Sequence, residues 1–184
     1  MKQTKGITHT TKGKNDECYT KRYAVEPLLE FLELLRNSKP NKKLKVWCPF
    51  DTEKSEFVKV LQENGYNVVY SHIDNGQDFF QYQPEKWDLI VSNPPFAGKK
   101  LIFERCFSFN KPFALIMDVR LLNDSCPMRL FKENGLELLL FDERMEFKNQ
   151  RKDKQIPFAC GYFCKGFGLP QIPIRDFKSQ PKLF

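Results

Sequence analysis

The sequence predicts a single α/β domain in which helices cover both faces of a mainly parallel sheet. Apolar, strand-like runs alternate with amphipathic, helix-like runs for about a hundred residues, which is the order expected of parallel βαβ units. The strand-like runs are short and almost continuously apolar, as is typical of strands buried on both faces. The length of 184 residues suits one domain, and a hydrophobic content of 41% excludes a wholly disordered chain.

The predicted elements follow one another in a regular order. The first helix is expected over 23–38, where an apolar stripe continues past Pro27, a residue that the first turn of a helix tolerates. A helix over 51–65 has Asp51 or Thr52 as its N-terminal cap. The remaining segments are strands over 43–50, 66–73, 86–92, 111–119 and 136–141 and helices over 101–109 and 125–135.

After the last predicted helix, the sequence predicts only strands and loops. Segments 144–149 and 156–167 have strand patterns and flank a polar, charged loop at 149–155, so we expect them to form an antiparallel pair at an edge of the sheet. The predicted organisation is a flexible basic tail at 1–16, a domain at 17–167 and a basic tail at 168–184.

The net charge of +7 is concentrated at the two ends of the chain. Residues 1–22 contain six Lys or Arg and two acidic residues, and residues 148–184 contain eight and two. The middle of the chain has a small acidic excess. Basic ends suit a polyanion such as nucleic acid, and they equally suit the alternative that the lysines only keep the chain in solution.

Membrane, secreted and metal-binding classes are disfavoured. No apolar run approaches the ~20 residues of a membrane helix, and no apolar signal segment begins the chain, so a cytoplasmic protein is predicted. The six cysteines include no CxxC pair and the chain has two histidines, which argues against a zinc site. We expect reduced, mostly buried thiols, with Cys160 and Cys164 on one face of a strand.

The stretch "WDLIVSNPPFAG" carries the strongest chemical signal. A buried strand ends in Asn93, Pro94, Pro95 and Phe96, and ligands of open parallel sheets bind beyond the carboxyl ends of the strands. Two prolines stiffen the loop and remove backbone donors, so that an amide oxygen and a proline carbonyl can aim at one point beside a flat ring. Two acceptors and a ring suit a planar base with an exocyclic amine.

The "SNPPF" stretch resembles motif IV of the S-adenosylmethionine-dependent adenine-N6 methyltransferases, which is (Asp/Asn/Ser)-Pro-Pro-(Tyr/Phe/Trp). The wider run over 17–167, with "VWCPFD", "HIDNGQDFF" and "IPFACGYFC", is similar to the short DNA adenine methylases of bacteriophages and prophages of Gram-positive bacteria. The resemblance implies a Rossmann-like class I methyltransferase fold, with a mainly parallel seven-stranded sheet and an antiparallel C-terminal strand pair. It also implies S-adenosyl-L-methionine as cofactor and DNA, in preference to RNA, as substrate.

The resemblance implies roles for particular residues. Asn93 and the carbonyl of Pro94 would accept hydrogen bonds from the target amine in a loop completed by Pro95, and Phe96 would stack on the flipped base. Asp74 would bind the ribose hydroxyls of the cofactor and Asp78 its adenine amine. The complete implied cofactor set is Thr20, Pro49, Phe50, Asp51, Asp74, Asp78 and Phe79, with Phe79 packing on the adenine ring.

Three departures from the family pattern leave room for a relative without activity. The glycine-rich turn of the form Pro-Phe-x-Gly-x-Gly is replaced after Phe50 by Asp51, Thr52 and Glu53. Side chains at these positions leave the cofactor less room to approach the backbone of the turn. Asp51 could instead accept from the cofactor ammonium. The second departure is "YTK" in place of Tyr-Thr-Pro. The third is "MDVRLLND", where relatives commonly carry Pro after Met and an aromatic residue further on. In this segment Asp118 could pair with Arg120.

Two basic clusters are candidates for contacting phosphates: Lys99 and Lys100, with Arg105, after the motif, and Lys148, Arg151, Lys152 and Lys154 further on. Solvated surface charge is the alternative for both. Because the chain leaves no room for a target-recognition region beyond the loops, we expect methylation at a short or non-specific site, action on single strands, or a protein partner or homodimer that supplies recognition. The rival functions are a degenerate methyltransferase fold that binds nucleic acid or a host protein, an RNA adenine-N6 methyltransferase, and glutamine-N5 methylation of a protein.

Overall fold

A computed structural model describes residues 18–38, 43–149 and 158–174 of the chain. The strands in these ranges are β1 Cys18–Thr20, β2 Lys45–Cys48, β3 Asn67–Tyr70, β4 Leu89–Ser92, β5 Phe113–Asp118, β6 Glu137–Leu139, β7 Phe147–Asn149 and β8 Cys160–Lys165. The α-helices are α1 Arg22–Val25, α2 Leu28–Asn37, α3 Glu56–Glu63, α4 Lys99–Ser108 and α5 Ser125–Asn134. Short 3-10 turns follow β3 at Ile73–Asn75 and β5 at Val119–Asn123.

The main sheet has six strands in the order β3-β2-β4-β5-β8-β6. The first four strands are parallel, whereas β8 runs antiparallel to both of its neighbours, β5 and β6. This mixed α/β arrangement confirms the predicted class, and its parallel part is Rossmann-like. The prediction of seven strands is wrong for the part of the chain that the structure describes, where six strands form this sheet.

The predicted antiparallel pair of segments 144–149 and 156–167 is also wrong. Strand β7 pairs instead with β1 in a separate two-stranded sheet, with Tyr19 opposite Lys148. Strand β8 inserts between β5 and β6, where five of its six residues are buried. An almost wholly apolar strand is stable where both of its faces are covered, which is the interior of the sheet rather than its edge.

Side chains of the sheet alternate between two core clusters. Helices α1 to α3 cover one face, where Val25, Leu32, Phe57 and Leu61 pack against alternate residues of β2, β4, β5 and β8. Helices α4 and α5 cover the other face through side chains that include Phe103. Because successive residues of a strand point to opposite faces, this division confirms the prediction of helices on both faces.

Two predicted helices begin or break at other positions. The segment 23–38 divides into α1 and α2 at Glu26 and Pro27, because a proline lacks the backbone N–H that would continue the helical ladder. Helix α3 begins after Ser55, whose side chain accepts a hydrogen bond from the N–H of Phe57 at 3.2 Å. Asp51 therefore does not cap this helix.

The described residues after Phe167 are hydrogen-bonded to strand β6 of the sheet. The buried carboxylate of Glu137 accepts hydrogen bonds from the N–H groups of Gly166, Phe167 and Leu169, and from the side-chain amide of Gln171. Residues 168–174 of the predicted basic tail thus line an edge of the sheet. The predicted tail at 1–16 and the remainder after 174 lie outside the described residues.

The described cysteine side chains are buried, as the sequence predicts. Cys48, Cys106, Cys160 and Cys164 are unbridged and buried. Cys160 and Cys164 belong to the same core cluster, as their spacing in a strand predicts. No helix of the described ranges is long and apolar enough to cross a membrane.

Candidate functional site

The Asn-Pro-Pro-Phe stretch lies at the carboxyl end of β4, the strand between β2 and β5. Asn93 and Phe96 are half-buried, Pro94 is buried and Pro95 is exposed. The loop then passes through Gly98, whose φ of 72° lies in the left-handed region that favours glycine, into the first turn of α4. The carboxyl ends of the parallel strands β2, β3, β4 and β5 share this side of the sheet, as the sequence predicts.

Strand β1 brings Thr20 to this loop from the start of the described chain. The side-chain amide nitrogen of Asn93 donates a hydrogen bond to Thr20 Oγ1 at 3.2 Å. Thr20 is 8% exposed and lies opposite Phe147 of β7 in the two-stranded sheet. Sequence reasoning assigned Thr20 to the cofactor; in the structure its hydroxyl contacts the amide of the motif itself.

Asp51 forms a buried polar network under the same loop. Its two carboxylate oxygens accept hydrogen bonds from the hydroxyls of Ser55 and Ser92, the residue immediately before Asn93. Burial raises the pKa of Asp51 from 3.8 to about 6, and the two serine hydrogen bonds and the nearby His72 oppose that rise. The network joins the turn after β2 to the end of β4, a role that sequence reasoning did not find.

The other residues of the predicted cofactor set lie in two environments. Phe79 is 2% exposed and packs against Trp47 and Phe50, with ring centroids 5.6 and 4.7 Å away, so its ring belongs to the core. Asp74 follows β3 and its side chain is 76% exposed. Asp78 is half-buried, and its carboxylate accepts the N–H of Phe80 at 3.0 Å.

A cavity of about 350 Å³ lies beside the motif, between the start of α4 and the segment after β5. Its lining combines an aromatic ring, apolar side chains and charged groups: Phe96, Gly98, Lys99, Lys100, Leu101, Leu121, Asp124 and Pro127. Elsewhere the ring of Phe96 meets Phe158 edge to face at 5.1 Å. Leu121, Asp124 and Pro127 were not predicted as site residues, because their proximity to the motif depends on how α4 packs against α5.

The Asp118–Arg120 pair suggested by the sequence is present. Arg120 donates to both carboxylate oxygens of Asp118, at 2.6–3.0 Å, and its guanidinium covers the ring of Phe158 at 4.6 Å. Burial alone would raise the pKa of Asp118, but hydrogen bonds from Arg120 and the charges of Arg120 and Lys99 hold it below its ordinary value. This pair therefore braces Phe158, which in turn flanks Phe96; no local sequence signal marks Phe158.

The predicted nucleic-acid contacts are only partly described. Lys99 and Lys100 line the cavity, and Lys100 also pairs with Glu104 at 3.3 Å. Arg105 points elsewhere: it donates to the carbonyl of Tyr82 at 3.2 Å and its guanidinium covers Phe109. Lys148 lies in β7, and Arg151, Lys152 and Lys154 lie outside the described residues.

The residues of the predicted cofactor site fit S-adenosyl-L-methionine in part. The exposed carboxylate of Asp74, at the carboxyl end of β3, is a suitable acceptor for a ribose diol, and half-buried Phe50 offers apolar surface. Pro49 is buried and its carbonyl accepts from the hydroxyl of Ser71. Asp51, by contrast, is committed to two serines. Within the described residues, no cluster of three or more His, Cys, Asp or Glu side chains could hold a metal ion.

Comparisons with known proteins identify no family for this chain. No protein-family model matches it, and no curated protein sequence does. Among solved structures, a protein from Pyrococcus horikoshii that has been proposed to be an RNA methyltransferase matches with a TM-score of 0.43 and 12% sequence identity. The match covers 75% of this chain and 80% of that one. A similarity of this size says nothing about what this chain binds.

Proposed function

We propose that the protein transfers a methyl group from S-adenosyl-L-methionine to the exocyclic N6 amine of adenine in nucleic acid, with DNA favoured over RNA. The observation that carries the proposal is the position of Asn93 and Phe96 at the carboxyl end of β4, with Phe96 lining a cavity of about 350 Å³. That volume lies within the range of small-ligand sites, about 300–1,000 Å³. The lining suits a nucleotide, because it offers a ring for stacking and two ammonium groups for phosphate.

The motif contains two hydrogen-bond acceptors that an exocyclic amine could use. The side-chain oxygen of Asn93 and the carbonyl of Pro94 can each accept one N–H of an exocyclic amine. Holding both N–H bonds aligns the nitrogen lone pair with a methyl donor and withdraws it from the ring. The N–C bond would form as the sulfonium S–C bond breaks and S-adenosylhomocysteine leaves, and the product ammonium would release one proton to water. Rate acceleration then comes from positioning rather than from a general base.

The side-chain oxygen of Asn93 is shielded from solvent in this structure. A target amine therefore reaches it only after the loop or the segment covering it moves. Such a movement agrees with the need to exclude water from the site until the base has entered.

The residues that would hold the cofactor are Asp74 and Asp78 as acceptors for its nucleoside part, with Phe50 as apolar surface. When bound, the cofactor supplies the electrophilic methyl group. The buried position of Phe79 assigns that ring to support of Phe50, whose centroid lies 4.7 Å away.

A second candidate function is binding of nucleic acid without methyl transfer. It is favoured by the turn after β2, where Asp51 bonds to Ser55 and Ser92 in place of the glycines that normally let a cofactor approach. The two candidates differ in whether the protein binds the cofactor at all.

The deciding experiment has two stages. Titration calorimetry with S-adenosylmethionine is expected to show micromolar binding, and methyl transfer from labelled cofactor is then measured on unmethylated DNA and RNA oligonucleotides. Asn93→Ala is expected to abolish transfer while leaving cofactor binding intact. Asn64→Ala, at an exposed asparagine after α3, is the matched control and should retain activity. Absence of cofactor binding up to millimolar concentration refutes the proposal and favours the second candidate.

A further inference from the structure

The carboxyl end of β5 brings two cations to one buried carboxylate. The side chain of Asp118, the last residue of β5, is 3% exposed, whereas that of Arg120 is 67% exposed. Burial would raise the pKa of Asp118, but the hydrogen bonds of Arg120 and the charges of Arg120 and Lys99 hold it below its ordinary value. Lys99 therefore lies close enough to act on Asp118, and this group of three side chains has one positive charge in excess.

Arg120 holds Asp118 with only one edge of its guanidinium. Nε donates to the two carboxylate oxygens at 3.0 and 2.8 Å, and Nη2 donates to Oδ2 at 2.6 Å. Within the described residues, Nη1 makes no hydrogen bond. A guanidinium has five N–H donors in a planar fork, so its other edge keeps donors for a second acceptor. The oxygens of a phosphate match that geometry.

The exposed guanidinium lies one ring away from the motif. It covers the ring of Phe158 at 4.6 Å, and Phe158 meets the ring of Phe96 edge to face at 5.1 Å. Lys99 lines the same cavity as Phe96, so a base stacked on Phe96 would have two cations near its own sugar-phosphate backbone. Asp124 also lines this cavity, so a phosphate would be held by the donors that contact it rather than by a general excess of positive charge.

We propose that Arg120, together with Lys99, binds a backbone phosphate of the nucleic-acid strand that carries the target base. The inference rests on the nucleic-acid substrate of the proposed function and deepens it, because it adds a contact that the sequence did not indicate. Phosphate contacts fix the register of a strand without reading its sequence. The site would thus place the target base over Phe96, and Asp118 would hold the guanidinium in position.

The first test measures how binding of a short single-stranded, adenine-containing DNA oligonucleotide to the full chain depends on salt. Each phosphate contact contributes about 0.7 to the steepness of log affinity against log salt concentration. We expect Arg120→Gln to reduce this steepness by about 0.7 and to lower affinity at low salt about tenfold. Arg120→Lys should keep most of the salt dependence, because an ammonium also binds phosphate. Arg129→Gln is the matched control and should change neither quantity, since Arg129 is likewise exposed and paired with a carboxylate, that of Glu133.

A charge-balanced variant separates direct contact from a change in net charge. Asp118→Asn combined with Arg120→Gln removes one negative and one positive charge, so the net charge stays at +7. It also avoids a buried carboxylate that has lost its partner. We expect the double variant to lose as much affinity and salt dependence as Arg120→Gln. Thermal unfolding of each variant checks that it is folded.

Modified oligonucleotides locate the contact on the strand. The phosphate on either side of the adenine is replaced in turn by an uncharged methylphosphonate. At one of these positions the wild type should bind about tenfold more weakly than it binds the unmodified strand, and Arg120→Gln should distinguish the two strands much less.

Three results would overturn the phosphate site: an unchanged salt dependence in Arg120→Gln, a double variant that binds as the wild type does, or equal methylphosphonate penalties in the wild type and Arg120→Gln. A wild-type chain that binds no oligonucleotide even at low salt would instead refute the nucleic-acid substrate of the proposed function, and this contact with it.

Discussion

Replacing Asp51 by Asn should change how stability depends on pH. Burial raises the pKa of this carboxyl from 3.8 to about 6 in the folded protein. Because the folded-state pKa is the higher one, the protonated acid is favoured by folding. The resulting stabilisation is complete below about pH 4 and is lost as the pH rises through 6.

The magnitude follows from the two pKa values. Each pH unit between 3.8 and about 6 is worth about 1.4 kcal/mol, so the wild type should lose about 3 kcal/mol of unfolding free energy between pH 4 and pH 7 relative to Asp51→Asn. An Asn cannot ionise, and other groups titrate in both proteins, so the difference isolates Asp51. Urea unfolding of both proteins at several pH values measures it.

A His72→Gln background provides the control, because the charge of His72 acts on Asp51. The loss of stability between pH 4 and pH 7 should persist there. A difference between wild type and Asp51→Asn that is flat over this range would refute the reasoning, since it would mean that Asp51 ionises in the folded protein as easily as in water.

Three further substitutions test the core, the edge of the sheet and the loop before α4. Phe131→Ala removes a fully buried ring 4.8 Å from that of Phe103 and should lower the unfolding free energy by about 3–5 kcal/mol in urea denaturation. Glu137→Ala leaves the N–H groups that its carboxylate binds without that partner; we expect a loss of about 2–4 kcal/mol and faster proteolysis after residue 167, whereas equal proteolysis would contradict the role of Glu137. Gly98→Ala should cost about 1 kcal/mol through its φ of 72° alone, since nothing lies within 4 Å of an added Cβ; a neutral effect on the thermal midpoint would contradict this.

The local pattern of apolar residues was sufficient to predict most elements of the sheet. Strands β2 to β6 and helices α3 and α5 lie within the segments where short apolar runs or helical stripes predict them, and α4 begins two residues before its predicted segment of 101–109. Burial of those runs is a property of nearby residues and their spacing, which is what a sequence displays. The same reasoning placed Asn93 and Phe96 at the carboxyl end of a central strand.

The pairing of strands that lie far apart in the sequence could not be predicted from local patterns. Strand β8 inserts between β5 and β6, and β7 pairs with β1, although both neighbouring segments share the polar loop at 149–155. A strand-like pattern predicts that a segment pairs with another strand, but it does not identify that strand, because every strand offers the same backbone N–H and C=O groups. The choice depends on which position covers both apolar faces of β8.

The sequence by itself determined the α/β class, the two buried faces of the sheet and the place of the Asn-Pro-Pro-Phe motif, since each follows from local periodicity. Only the tertiary structure decided the partners of the functional side chains. In the fold, the carboxylate of Asp51 accepts a hydrogen bond from Ser92, Phe79 is buried, and the amide of Asn93 donates a hydrogen bond to Thr20. The physical reason is that a side chain acts on the groups it touches, and those groups come from segments far apart in the chain that packing alone brings together.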